Sequence, residues 1–290
     1  MQTDGSILTD DLLDRMAERG AGYDRDNRFF HEDFDDLRQA GYLTMAVPRE
    51  LGGRGLSLAE ASLETRRLAY HAPATALGTN MHVYWTGVAA DLWHAGDRSL
   101  EWLLKDAAAG EVFNSGHSER GNDLPVLLST STAEKVLGGF RFTGHKMFGS
   151  LMPVWTRYGL HGMWPDAPGG PKIVHAFMPR DADRFRIVET WDTMGMRATR
   201  SDDMVLDGAF VPDRLVARIV PAGGVDAFVL GVFAWALMGF ANVYCGIAQR
   251  AIDVTVPAIK AKSSLGVSRD RKSTRLNSSH RSLSRMPSSA

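Results

Sequence analysis

Residues 47–57 read VPRELGGRGLS and form the most distinctive stretch of the 290-residue chain. Its three glycines lie close together, which is typical of a tight loop. Ser57 closes the stretch and Glu60 follows three residues later, the spacing of a capping box at the start of a helix. The glycines lack the G-x-G-x-x-G spacing of a dinucleotide-binding turn. The stretch therefore predicts a glycine-rich loop that leads directly into a helix.

Helical patterns flank this loop on both sides. Phe30, Phe34 and Leu37 recur at helical spacing before it, and Asn80–Trp93 forms a longer helical stretch after it. We therefore expect an N-terminal helical domain over residues 1–110.

The pattern changes at Gly110, where short β-branched and aromatic runs begin to alternate with turn residues. Leu127–Thr132 and Lys172–Met178 are two such runs, each long enough for a strand. Because these runs are separated by short turns, we expect a middle antiparallel β-barrel domain over residues 111–220.

The last apolar segment, Phe228–Ile259, predicts a long helix that is buried on most sides. A helix this apolar needs other helices to pack against. We therefore expect residues 221–269 to be the first part of a C-terminal helical domain that is truncated. Helices, a sheet and a further helix, in this order, indicate an α+β fold.

Composition excludes several classes of protein. The net charge of −1 does not favour nucleic-acid binding, and one cysteine excludes an internal disulfide and a cysteine-rich metal site. We predict no bound metal and a cytoplasmic location. The longest uncharged apolar run considered, Phe228–Gly239, is shorter than the roughly 18 residues of a membrane span, so we expect none.

The tail at residues 270–290 differs from the rest of the chain. It holds five basic residues and one acid, and seven of its residues are serine. Residues 270–280, DRKSTRLNSSH, can be encoded by a sequencing-adapter DNA, and residues 284–290 by its continuation in the same frame. We expect the tail to be non-native, disordered and dispensable for folding.

Residues 116–123, GHSERGND, carry the densest polar chemistry. A hydrolase nucleophile elbow would need a glycine one residue earlier and a following helix, whereas Pro125 and β-type sequence follow. A zinc deaminase would need a P-C-x-x-C partner, which the sequence lacks. Taken alone, the segment is equally compatible with a polar turn between strands.

Several stretches, taken in order, resemble one family. Residues 47–57 resemble its VPxExGGxGLS motif, and residues 191–201, WDTMGMRATRS, resemble its MGxRxSxT signature. Residues 246–251, GIAQRA, resemble the GxAxxAL helix that opens its C-terminal domain. Over roughly residues 25–266, the chain is similar to the acyl-CoA dehydrogenases.

That resemblance implies N-terminal helices, a β-barrel and a four-helix bundle, with FAD bound between the barrel and the bundle of a homotetramer. It implies α,β-dehydrogenation of an acyl-CoA thioester in fatty acid metabolism, with an electron-transferring flavoprotein as partner. A glutamate removes the α-proton in that chemistry, and hydride passes to flavin N5.

The resemblance also implies cofactor-binding residues. Ser118 would bond the flavin ring with Ser115 and His117 beside it, and Asn122 would meet pyrophosphate and substrate. The cofactor would also contact the stretch Phe148, Gly149 and Ser150, with the Phe148 ring stacked on the isoalloxazine. Lys262 would replace the arginine that reaches a neighbouring subunit's FAD, with loss of its bidentate fork.

Two departures from the family concern the apolar helix. The positions of an Asp-x-x-Arg that holds coenzyme A carry Ala234 and Leu237, and Ala236 takes a position used by some catalytic bases. No Asp or Glu occurs between Asp226 and Asp253. We therefore predict no catalytic residue in this chain, which should be inactive as a dehydrogenase.

These departures favour two alternatives with the same fold. The first is a two-component flavin monooxygenase, which takes reduced flavin from a separate reductase. The second is a non-catalytic scaffold that binds flavin or an acyl group.

Overall fold

A computed structural model describes residues Ser6–Lys260. Lys262 and the tail at residues 270–290 lie outside the described residues. The chain divides after Arg250 into two units, and the helices up to position 110, the sheet and the candidate site belong to the first unit.

The described part of the first 110 residues contains five α-helices. They are α1 Asp10–Arg25, α2 His31–Gln39, α3 Leu58–His71, α4 Pro73–His94 and α5 Glu101–Ala108. The predicted capping box is confirmed at the start of α3, because the Glu60 amide donates to Ser57 Oγ at 3.4 Å and the Ser57 amide donates to the Glu60 carboxylate at 2.8 Å. Local sequence alone therefore defined this helix start.

A mixed sheet follows the helices. Its strands are β1 Phe113–Ser115, β2 Thr132–Val136, β3 Gly139–Gly149, β4 Arg157–Trp164, β5 Lys172–Pro179, β6 Phe185–Val188, β7 Asp202–Pro212 and β8 Val216–Pro221. Their order is β6-β7-β3-β2-β4-β5-β8, with β1 beside β4. Most neighbours are antiparallel, but β1 and β2 each pair with β4 in parallel.

The predicted closed β-barrel is wrong. β6 pairs with β7 and β8 pairs with β5, so these two strands are the edges of an open sheet. A barrel would need its two edges to pair with each other. The predicted strand over Leu127–Thr132 is also wrong for most of its length, because β2 begins only at Thr132.

Helix α4 forms the centre of the core. Sixteen of its 22 residues are buried. The Trp85 ring packs edge-on against Phe177 of β5, with ring centroids 4.8 Å apart, and lies parallel to Phe228 at 6.1 Å. Since Phe228 belongs to the last helix and also meets His175 of β5 at 5.2 Å, α4, the sheet and that helix share one core.

The last helix, α6, runs from Ala227 to Lys260. It lies close to α4 because Gly87 has no side chain: a Cβ there would meet the Trp235 ring at 2.2 Å. The Trp235 indole donates to the Asp91 carboxylate at 2.6 Å. The expectation of burial on most sides is wrong, since Leu230 and Leu237 are exposed and one face of α6 packs against the fold.

By length and composition alone, α6 could cross a membrane. Its most apolar 18-residue window has a mean hydropathy of 1.8, and 39% of that window is buried. Core helices pass the same test, so one such helix is weak evidence for a span. The apolar part of α6 is therefore longer than the predicted run Phe228–Gly239.

Candidate active site

A cavity of about 480 Å³ lies where α4, the end of β1, the end of β3 and α6 meet. It is lined by five of the residues predicted to bind a cofactor, namely Ser115, His117, Ser118, Phe148 and Ser150. The structure therefore brings together two chain segments that the sequence treated as separate motifs.

Two other predicted residues do not line the cavity. Gly149 packs behind its wall, where a Cβ would lie 2.8 Å from the Met152 methyl carbon. The Asn122 amide donates to the Glu119 carboxylate at 3.0 Å and to the Leu128 carbonyl at 2.8 Å. Asn122 thus holds its own loop together.

A buried ion pair anchors the loop that carries Ser118. Glu119 and Lys146 are paired, and neither side chain is exposed to solvent. Burial alone would raise the pKa of Glu119, but Lys146 and donors such as the Ser131 hydroxyl (2.6 Å) and the Thr130 amide (2.8 Å) lower it to about 2. The pair fixes the loop to β3, directly behind the cavity.

Phe148 stands at the rim of the cavity with one face open. Its side chain is 53% exposed, and its ring meets Trp191 edge-on at 6.1 Å. Its backbone has φ +60°, which is uncommon for a bulky residue and costs strain. Strain of this kind concentrates at binding sites, and an open aromatic face can stack on a planar ring.

A row of hydroxyls continues from Ser150. Ser150 Oγ lies 2.8 Å from Ser201 Oγ, which lies 2.7 Å from Thr199 Oγ1. The Ser150 amide donates to the Phe148 carbonyl at 3.1 Å. The Ser150 amide is therefore occupied, whereas its hydroxyl has one protein partner and can form a further hydrogen bond to a ligand.

A second polar row lies on the α4 side of the cavity. The Tyr84 hydroxyl donates to Ser115 Oγ, which lies 2.6 Å from His117 Nδ1. The other ring nitrogen of His117, Nε2, is buried and has no hydrogen-bond partner among the described residues. All three side chains line the cavity.

Two further histidines lie behind His117. The His161 and His175 ring centroids are 5.0 Å and 6.2 Å from that of His117. Burial, followed by the charge of His175 and Lys146, lowers the pKa of His117 well below its ordinary value. The pKa of His161 is lowered in the same way, and burial lowers that of His175 to about 3. The three imidazoles are therefore neutral at pH 7, and no group of three or more such ligands within Ser6–Lys260 could hold a metal.

The wall opposite is formed by α6 and is apolar. Phe233, Ala236, Leu237 and Phe240 face the cavity. Ala236 and Leu237 are two of the positions where the sequence departs from the acyl-CoA dehydrogenases. Both departures therefore change the lining of this cavity. In the part of the chain that the structure describes, no Asp, Glu, Lys or Arg lines the cavity.

Sequence reasoning missed several lining residues. Tyr84 lies in a helix that is buried all round, so its position gives no periodic signal. Trp191 and Met196 lie in residues 191–201, the stretch that resembles the family signature. This resemblance was the one signal that could have predicted them as lining residues of the cavity.

The cavity fits a flavin ring. The open face of Phe148 can stack on one side of the ring, while the hydroxyls of Ser118 and Ser150 offer hydrogen bonds to its polar edge. The apolar side chains of α6 can exclude water from the opposite side. In this arrangement the lining groups are neutral or hydroxylic, which suits binding and orientation more than proton abstraction by a carboxylate.

The chain is similar in sequence to several known proteins. The family model described as "Acyl-CoA dehydrogenase, N-terminal domain" matches residues 10–110. The chain is 28% identical over 253 residues to L-evernosamine nitrososynthase from Micromonospora sp. (strain ATCC 39149 / NRRL 15099 / SCC 1413), covering 84% of this chain and 58% of the relative. It is also 28% identical to the putative acyl-CoA dehydrogenase YdbM from Bacillus subtilis (strain 168), covering 84% of this chain and 63% of YdbM.

A similar solved structure holds a flavin. KijD3 in complex with FMN and dTDP-3-amino-2,3,6-trideoxy-4-keto-3-methyl-D-glucose superposes with a TM-score of 0.76 and 27% identity. The match covers 88% of this chain and 63% of KijD3. The chain thus spans about 58–63% of the length of the curated relatives named here.

Proposed function

Since the chain belongs to the acyl-CoA dehydrogenase-like family, we propose that it is a flavin-dependent monooxygenase that transfers one atom of dioxygen to a heteroatom, first of all to an amine nitrogen. The observation that carries this proposal is the cavity lining, which offers an open aromatic face and several hydroxyls but no carboxylate among the described residues. Dehydrogenation of an acyl thioester requires such a carboxylate to remove the α-proton.

The flavin would be held by Phe148, Ser118 and Ser150. When bound in its reduced form, it supplies the two electrons that activate dioxygen. The similar KijD3 structure holds FMN, and the sequence resemblance implied FAD, so the choice between the two is part of the test. A separate flavin reductase would supply the reduced flavin.

The overall reaction balances without a carboxylate base. An amine, dioxygen and reduced flavin give a hydroxylamine, water and oxidised flavin. One oxygen atom forms the N–O bond, and the other leaves as water with the flavin's two electrons. The residues of this chain bind and orient the two reactants, and the apolar α6 wall limits the entry of water that would uncouple the reaction.

The names of the relatives support a nitrogen substrate. A nitrososynthase is named for a product with oxygen on nitrogen, and the ligand in the KijD3 structure is an amino sugar nucleotide. Acyl-CoA dehydrogenation is the second candidate, because YdbM matches the chain at the same identity. In that case the base would come from residues that the structure does not describe.

Two half-reactions separate these functions. The purified protein is first titrated with FMN and FAD, then mixed without oxygen with a panel of acyl-CoA thioesters, and finally supplied with reduced flavin, air and a panel of amines. We expect no loss of flavin absorbance with the thioesters and amine-dependent formation of hydroxylamine. Reduction of the flavin by a thioester would contradict the proposal, and flavin binding without either reaction would support a scaffold.

A further inference from the structure

We propose that Ser115 and His117 form a proton relay, in which Ser115 contacts the substrate nitrogen and His117 takes the proton that this nitrogen loses. The inference rests on the proposed monooxygenase function and deepens it. It gives both residues a role toward the substrate, in place of the flavin contact that the family resemblance implied.

The hydrogen bonds give the relay its direction. The Tyr84 hydroxyl donates to Ser115 Oγ, so the proton of Ser115 is free to point toward His117 Nδ1, 2.6 Å away. A serine oxygen has two lone pairs, and the bond from Tyr84 occupies one of them. The second lone pair can accept an N–H of a substrate in the cavity. A proton can then pass from substrate to Ser115 while the proton of Ser115 passes to His117.

Elimination among the described lining residues supports His117 as the acceptor. The ionisable side chains of the lining are Tyr84, His117 and Tyr244. Burial raises the pKa of Tyr84, so this residue remains a hydrogen-bond donor. Tyr244 stands at the open side with 57% of its surface exposed. His117 is left as the side chain with a basic lone pair inside the cavity.

The surroundings of His117 make the transfer reversible. His161 on β4, His175 on β5 and Lys146 on β3 surround it, and the Glu119 carboxylate is paired with Lys146. Burial of the ring, His175 and Lys146 lower the pKa of His117, and the opposite effect of Glu119 is smaller, so an imidazolium is disfavoured. His117 is therefore neutral before the reaction. It accepts the proton as the N–O bond forms and then returns it to the oxygen atom that leaves as water.

The relay also restricts the substrate. Because no carboxylate lines the described cavity, an ammonium ion would find no negative counter-charge there, and burying an unpaired charge is costly. The site should therefore accept an amine in its uncharged form. Aniline, which is neutral at pH 7, and benzylamine, which is protonated, are probes of similar size that differ in this property.

Nitrogen NMR of ¹⁵N-histidine-labelled protein tests the geometry without any flavin chemistry. At pH 7, His117 should be neutral, with its proton on Nε2 and Nδ1 accepting from Ser115. Aniline should shift the ¹⁵N resonances of His117 in the wild type but not in Ser115→Ala. Benzylamine should not shift them in either protein. A proton on Nδ1, or an aniline response that survives in Ser115→Ala, would overturn the relay.

Variants of the flavin-loaded protein test the chemistry. His117→Gln keeps a hydrogen-bond partner for Ser115 but cannot take a proton, and the exposed His94→Gln is the matched control. We expect His117→Gln and Ser115→Ala to keep wild-type flavin affinity while kcat falls about 10²- to 10⁴-fold. KM should stay unchanged in His117→Gln and rise in Ser115→Ala, which loses its contact with the substrate. Lost flavin affinity in both variants would show a cofactor role and refute the relay. Absence of turnover in the wild type would count against the proposed function alone, since the NMR measurement decides the relay separately.

Discussion

Two buried polar groups lie side by side behind the cavity and are built in opposite ways. Glu119 and Lys146 keep their charges, and the carboxylate receives hydrogen bonds from several neighbours. The three histidines, His117, His161 and His175, are held neutral, and Nε2 of His117 has no partner within the described chain. Charge is thus retained where the fold supplies partners for it, and the group that borders the cavity is the uncharged one.

The largest expected effect is a loss of stability at acid pH, where protonation would disrupt the group of neutral histidines. Burial lowers the pKa of His82 to about 4 and that of His175 to about 3, and lowers those of His117 and His161 as well. Unfolded histidine titrates near pH 6.5, so the unfolded state binds more protons below that pH. Each residue should then cost about 1.4 kcal/mol of unfolding free energy per pH unit as the pH falls from about 6.5.

Asp33 acts in the opposite direction. Burial raises its pKa to about 6, so its protonation in the folded state adds stability as the pH falls from there, but it is one group against several histidines whose pKa is lowered. Urea unfolding at pH 7.5, 6.5 and 5.5 measures the net effect. We expect a marked fall in the midpoint, weakened in His175→Phe and unaltered in the exposed control His31→Gln. A midpoint independent of pH would refute the assignment of a neutral histidine group.

The second prediction removes one partner of the charged pair. Glu119→Ala leaves the Lys146 ammonium buried without a counter-charge, and such a loss typically costs about 3–5 kcal/mol. The double variant Glu119→Leu/Lys146→Met should be more stable than Glu119→Leu or Lys146→Met alone, because no charge remains buried. Urea unfolding of the three variants measures this coupling. Strictly additive effects would show that the two charges do not depend on each other.

The smallest effect concerns the cavity in front of both groups. Replacing Ser118 and Ser150 together with alanine should weaken flavin binding by about 1 kcal/mol for each lost hydrogen bond, or roughly 30-fold in total. Fluorescence titration with FMN and FAD measures it, and the exposed Ser99→Ala is the control. Unchanged affinity in the double variant would remove both hydroxyls from the flavin site.

Sequence reasoning succeeded where local patterns determine structure. The capping box placed the start of α3, and the predicted strand run at Lys172–Met178 lies within β5. It also identified five of the residues that line the cavity and the absence of acids on the first turns of α6. These features depend on residue types at short spacing, which a sequence displays directly.

It failed where distant partners compete for the backbone. Leu127–Thr132 has the composition of a strand, yet its hydrogen-bonding groups are used elsewhere. Ser129, Thr130 and Ser131 donate to the buried Glu119 carboxylate instead of to a neighbouring strand. The closed barrel failed for a similar reason, since pairing between β6 and β8 is a property of the whole sheet and not of either strand.

The central claim is that the uncharged cavity supports oxygen transfer, and isotope labelling tests it most directly. The protein is supplied with chemically reduced FMN, an uncharged amine and ¹⁸O₂, and the product is analysed by mass spectrometry. The account predicts one ¹⁸O atom on the product nitrogen for each molecule formed, with the second atom in water. A product without ¹⁸O, or flavin reduction by an acyl thioester in the absence of oxygen, would contradict it.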